Sequence, residues 1–149
     1  MSALRWETVG SVVLVSWGVG VTVADVEAVG EGIANAIAAA KPSKVRVLLV
    51  LDGGESGSAP DQAVRDAINA ITQRNAHGVA RMAYVYEKPG FGGALLRSVV
   101  TALQLVRPVP YPVKVFDTFS TAVDWLVEGH GVPHLLRAAN RWRDGGRAA

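Results

Sequence analysis

Apolar and polar positions alternate at the start of the chain, where Leu4, Trp6 and Thr8 share one parity against Arg5 and Glu7. A period of two is the mark of a strand with one wetter face. Gly10 breaks the run, and Val12 to Trp17 follows as a more continuous apolar strand, so the chain is predicted to open with a β-hairpin. Beyond Gly18 and Gly20 the period changes. Val26, Val29, Ile33, Ile37 and Ala40 recur at helical spacing, and Thr22 with Asp25 has the T-x-x-D form of a capped helix start. Asp25, Glu27 and Glu31 decorate the early turns, where the helix dipole favours acids. Gly30 and Gly32 lower helix propensity and are read as places where the helix lies close to a sheet. Pro42 cannot continue the helix and ends it.

Val45 to Asp52 is almost all Val and Leu apart from Arg46, which suits a strand covered on both faces. Pro60 is then expected in the first turn of a helix whose stripe is Ala63, Val64, Ala67, Ile68 and Ile71. Val79 to Tyr86 reads as a second buried strand, and a helix is expected from about Ala94 to Val106. Val113 to Phe116 is a short strand, followed by a helix begun by a Thr118 or Ser120 cap, with Trp125 and Leu126 packing inward. A last helix over "VPHLLRAANRWRDGG" trails into a basic tail. Strands alternating with helices after a hairpin predict an α/β fold: a mixed, mostly parallel sheet of about five strands flanked by helices. The domain is expected over residues 1–131, with 132–149 a C-terminal basic helix and tail.

Composition narrows the chemistry. With 149 residues the chain can bury a sizeable core, and with no Cys it can make neither disulfides nor thiolate metal sites. A formal charge of +2 demands no nucleic acid, so none is expected as a partner. The start "MSALRWETVG" has no basic segment followed by a sustained apolar core, and no apolar run reaches spanning length, so the expectation is a cytoplasmic chain without a transmembrane segment.

Ligands of open α/β sheets lie outside the carboxyl ends of the strands, which singles out the segments from Asp52 to Ala59, Glu87 to Gly93 and Asp117 to Ser120. A phosphoacceptor role for Asp52 needs further carboxylates for a divalent metal, and the early strand ends in "VSWGVG" with none. "KPGFGG" lacks the Lys-Ser/Thr pair of a P-loop and the spacing of a dinucleotide fingerprint. His77, His130 and His134 are the only histidines, and neither a G-x-S-x-G elbow nor an H-E-x-x-H helix is present, so no metal, cofactor or catalytic residue is assigned. The candidate partner or ligand loops are Asp52, Gly53, Gly54 and Glu55, with Gly90, Phe91, Gly92 and Gly93. Arg137, Arg141 and Arg143 beside Trp142 form a basic tail, read as a solvated face.

The buried strand "VRVLLVLD" running into a Ser/Gly loop and helix, and the later "PVKVFDTFSTAVDWL", resemble the SpoIIAA-like domains. These join the STAS type, sulfate transporter and anti-sigma factor antagonist, with a wider kinship to the CRAL-TRIO lipid-binding fold. The resemblance covers about Leu4 to Val127. It implies a non-enzymatic regulatory or protein-interaction module of bacterial type, controlled through a serine just after the central strand. In the family that serine lies in an Asp-Ser-Ser/Thr-Gly segment; here the matching place reads Glu55-Ser56-Gly57-Ser58, which departs from it. Ser56, with Ser58 as substitute, is therefore the candidate phosphorylation point. The implied partner is a protein, a kinase or an anti-sigma-type regulator, or a second copy in a homodimer. The alternative drawn from the wider kinship is a carrier or sensor of a small apolar or lipid-like ligand under the Phe91 loop.

Overall fold

A computed structural model of the chain describes residues 4–18, 20–51, 61–87, 97–98, 101–102, 104–105, 108–128 and 133–148. Five strands, β1 (Leu4–Val9), β2 (Val12–Trp17), β3 (Val45–Leu51), β4 (Val79–Val85) and β5 (Val113–Phe116), form one sheet in the order β1-β2-β3-β4-β5. β1 and β2 are antiparallel, and each later neighbour is parallel to the last. The helices described along their length are α1 (Val23–Ala40), α2 (Gln62–Asn75), α3 (Phe119–Leu126) and α4 (Pro133–Ala148), with a 3-10 turn at Ala76–Gly78. The described residues 97–98, 101–102 and 104–105 are helical as well, within the helix expected from about Ala94 to Val106. The predicted α/β fold, with its hairpin and mostly parallel sheet, is the one observed.

The hairpin turns on two residues. Gly10 takes φ 58°, which with Ser11 at negative φ makes the type II′ turn whose twist matches that of the flanking strands. α1 starts at the expected capping box: the Asp25 amide donates to Thr22 Oγ1 at 3.2 Å, and the Thr22 amide donates to Asp25 Oδ2 at 2.9 Å. α2 begins at Gln62, with the Asp61 carboxylate accepting from the Val64 amide at 2.9 Å. The helix thus starts later than expected, because the aspartate at the cap supplies the acceptor that starts it; Pro60, expected in its first turn, lies outside the described residues.

Strand order explains how the two faces are filled. Four strands added one after another in the same direction, with crossovers of one hand, bring their crossover segments to the same face of the sheet. On that face Val13, Val15, Val45, Val47 and Val79 pack against Val29, Ile33 and Ala36 of α1, with Tyr111 beside them. α2 lies along α1, and the buried Asn75 side chain donates to the Gly30 carbonyl at 3.2 Å. The opposite face, carrying Val12, Leu14, Leu48, Ala83 and Val85, is closed by Phe119, Ala122, Val123 and Leu126 of α3 and by Ala139 and Trp142 of α4. The terminal helix, expected as an addition to the domain, thus puts two residues into the core. Trp142, read from sequence as a neighbour of solvated arginines, is buried and stacks on Phe119 with centroids 6.3 Å apart.

The helical glycines hold close approaches. A Cβ on Gly32 would collide with the Trp6 ring of β1, the strand contact expected of it. Gly30 seats a helix instead: a Cβ there would come within 2.6 Å of Ile71 on α2.

Candidate functional site at the carboxyl rim

The register of the parallel strands sets their carboxyl ends side by side, with Trp17 partnering Leu51, Val50 partnering Val85, and Val85 partnering Phe116. The Tyr86 amide continues the row by donating to the Phe116 carbonyl at 3.0 Å. Leu51 and Asp61 therefore bracket the segment 52–60 at the end of the central strand, and Glu87 marks where the next strand gives up its chain on the same rim. Of the sequence candidates, Asp52, Gly53, Gly54, Glu55, Ser56 and Ser58 lie outside the described residues. So do Gly90, Phe91, Gly92 and Gly93, together with His130 and the side chain of His134.

The described rim is acidic, and its acids serve helix starts. Asp61 caps α2. Glu87 Oε2 accepts from the Phe119 amide, the first of α3, at 3.5 Å. Thr118, one of the two expected caps, accepts from the Thr121 amide at 3.3 Å. Each acceptor answers a backbone donor that the helix itself cannot satisfy. Asp117 is exposed between them. Below the rim on the crossover face, desolvation and then the neighbouring Tyr111 push the Tyr84 phenol up to about 12, and burial raises Tyr111 as well. These phenols stay protonated at neutral pH and serve as packing groups. Among the described residues no three His, Asp or Glu side chains gather to hold a metal, and His77 is exposed.

A second set of residues escaped the sequence reading. Arg46, Arg81 and Lys114 each interrupt an apolar strand, and register puts all three on the α3 side of the sheet, Arg46 partnering Arg81 and Lys114 partnering Ala83. Arg81 donates to the Trp125 carbonyl at 2.6 Å and pairs with Glu128 at 3.3 Å, closing the carboxyl end of α3 with a cation where the dipole favours one. The Trp125 ring lies 5.0 Å from Arg81 and 5.3 Å from Lys114, and packs on Phe116 at 5.6 Å. Burial, and then Arg81 beside it, lower the pKa of Arg46. Nearer β1, Arg5 sits 4.4 Å over the Trp142 ring and Arg143 5.0 Å from Phe119. A cation early in each of three apolar strands was the available signal; the hydrogen-bond partners of Arg81 are more than 40 positions away and invisible to local pattern.

Among the described residues no helix is long and apolar enough to cross a membrane. No family model, no curated protein and no solved structure matches the chain.

Proposed function

We propose that this chain is a non-enzymatic regulatory or protein-interaction module of the STAS/SpoIIAA-like type, whose partner docks on the carboxyl rim and whose control point is Ser56 or Ser58. The observation that supports it is the position of the serine segment: it joins the end of the third of five strands directly to the Asp61 cap of α2. Ser58 is three positions from Asp61, so chain connectivity alone keeps the two within about 11 Å. A phosphate adds nearly two negative charges where an aspartate already occupies the helix start. It repels Asp61, reorders the segment and turns away an acidic partner.

The test is affinity capture from a lysate of the source cells with wild type, Ser56→Asp and Ser58→Asp as baits. A partner held by wild type and lost or weakened at least about tenfold in one variant supports the switch; the same partners held equally by all three remove it. Native mass spectrometry of the same preparations is expected to give the mass of one or two polypeptides with nothing added, whereas a retained small molecule would turn the reading toward the carrier.

A further inference from the structure

We propose that β1 pairs with β1 of a second copy across a two-fold axis at Trp6, joining two five-stranded sheets into one continuous sheet of a homodimer. β1 is one of the two outer strands of the sheet, and β5, four residues long, is the other. In a two-residue hairpin the residues flanking the turn, Val9 and Val12, form a hydrogen-bonded pair, and pairing then alternates along the ladder. The backbone groups of Glu7 and Arg5 therefore face β2, and those of Thr8 and Trp6 face outward. An antiparallel self-pairing must set outward-facing residues opposite each other, and an axis on Trp6 does so: the two Trp6 residues exchange both backbone hydrogen bonds.

That same register puts Arg5 opposite Glu7 of the second copy, and Glu7 opposite its Arg5, at the closely spaced positions where side chains meet. Charges on an edge strand ordinarily block pairing. Here they are opposite in sign and two residues apart, so a strand meeting itself matches both.

Helix α1 supplies an independent observation. Gly32 faces the Trp6 ring and Gly30 faces α2 on the other side of the helix. At 100° per residue, Ala24, Ala28 and Ala39 line the flank just beyond Gly32 and away from α2, with Asn35 among them, and all four are exposed. Glu27 and Glu31 lie farther round, on the solvent crest. A flank of three alanines and one short amide, beside a 39% exposed tryptophan, lets two antiparallel α1 helices approach closely over the paired Trp6 rings.

Sedimentation velocity tests this without reference to the rim serines, so either proposal can fail alone. Wild type is expected to be dimeric at about 100 μM. Glu7→Arg and Arg5→Glu each create two like-charge pairs and should raise the dissociation constant at least about tenfold. Mixed together, the two variants regain complementary pairs and should form a heterodimer; the double variant should dimerise alone. Circular dichroism melts identify any loss of fold in Arg5→Glu, whose guanidinium also covers Trp142, and Glu7→Arg with the double variant then carries the test. A monomeric wild type, a dimer indifferent to Glu7→Arg, or no recovery in the double variant overturns the proposal.

Discussion

The two faces of the sheet are filled by different chemistry. The crossover face sets valines of four strands against Val29, Ile33 and Ala36, admits Trp6 and Ile71 at glycines, and carries Trp17, Tyr84 and Tyr111 with no cation over their rings among the described contacts. The terminal face is aromatic, with Phe116, Phe119, Trp125 and Trp142 roofed by Arg5, Arg81, Lys114 and Arg143. Topology accounts for the contrast. Crossover segments are delivered to one face by the handedness of their connections, while the other face must be covered by whatever follows β5. The helices that follow β5 lay Phe119, Trp125 and Trp142 on this face, where Arg5, Arg81 and Lys114 of the strands and Arg143 of α4 lie against their rings.

The largest effect separating the faces is expected at Phe119, fully buried between sheet and Trp142. Phe119→Ala should cost about 3–5 kcal/mol in urea unfolding, because it empties the centre of the terminal layer. A loss below about 1 kcal/mol would mean that this layer is not part of the cooperative core.

The crossover face should instead reveal itself in alkali. The Tyr84 phenol is raised to about 12 in the folded chain from an ordinary value of 10.0, so above pH 10 the unfolded chain releases its proton first. Stability contributed by the neutral phenol is complete below about pH 10 and declines as pH rises toward 12, by about 3 kcal/mol in all. Tyr84→Phe should flatten that decline, read from urea midpoints across the window, and an unchanged slope would contradict the burial of the phenol.

Smaller effects belong to the cationic roof. Arg81→Met removes a hydrogen bond to the Trp125 carbonyl and a contact with its ring and should cost about 1–2 kcal/mol; Glu128, largely exposed, adds little. Lys114→Ala, which loses only an exposed ring contact, should cost under about 1 kcal/mol. The reverse ranking would show that the ring contacts outweigh the helix-end hydrogen bond.

Local physics made much of this legible beforehand. β2 and β5 are bounded as their apolar runs read, and α1 starts at Thr22 with Asp25 because a capping box is written in four consecutive residues. α2 was misjudged at its start since a proline two positions ahead of Gln62 and an aspartate one position ahead are both initiation signals, and only geometry ranks them. The closure of the terminal face was hidden for a different reason. Trp142 looks solvent-bound among arginines, and its burial follows only once Phe119 and Arg5, far away in sequence, are known to meet it. At the rim the sequence marks where the strands end and offers Asp61 as a local cap, while the role of Glu87 as acceptor for the start of α3 depends on which helix that strand end faces.

With helices packed on both faces of the sheet, the β1 edge and the carboxyl rim are the recognition surfaces proposed for the chain. Residue-resolved amide exchange at a low and a high protein concentration tests this most directly. Slow exchange is expected throughout β2, β3 and β4 at both concentrations, with protection of the Trp6 and Thr8 amides that grows with concentration. Fast exchange of those two amides at every concentration, or concentration-dependent protection appearing on α3 and α4 instead, would contradict it.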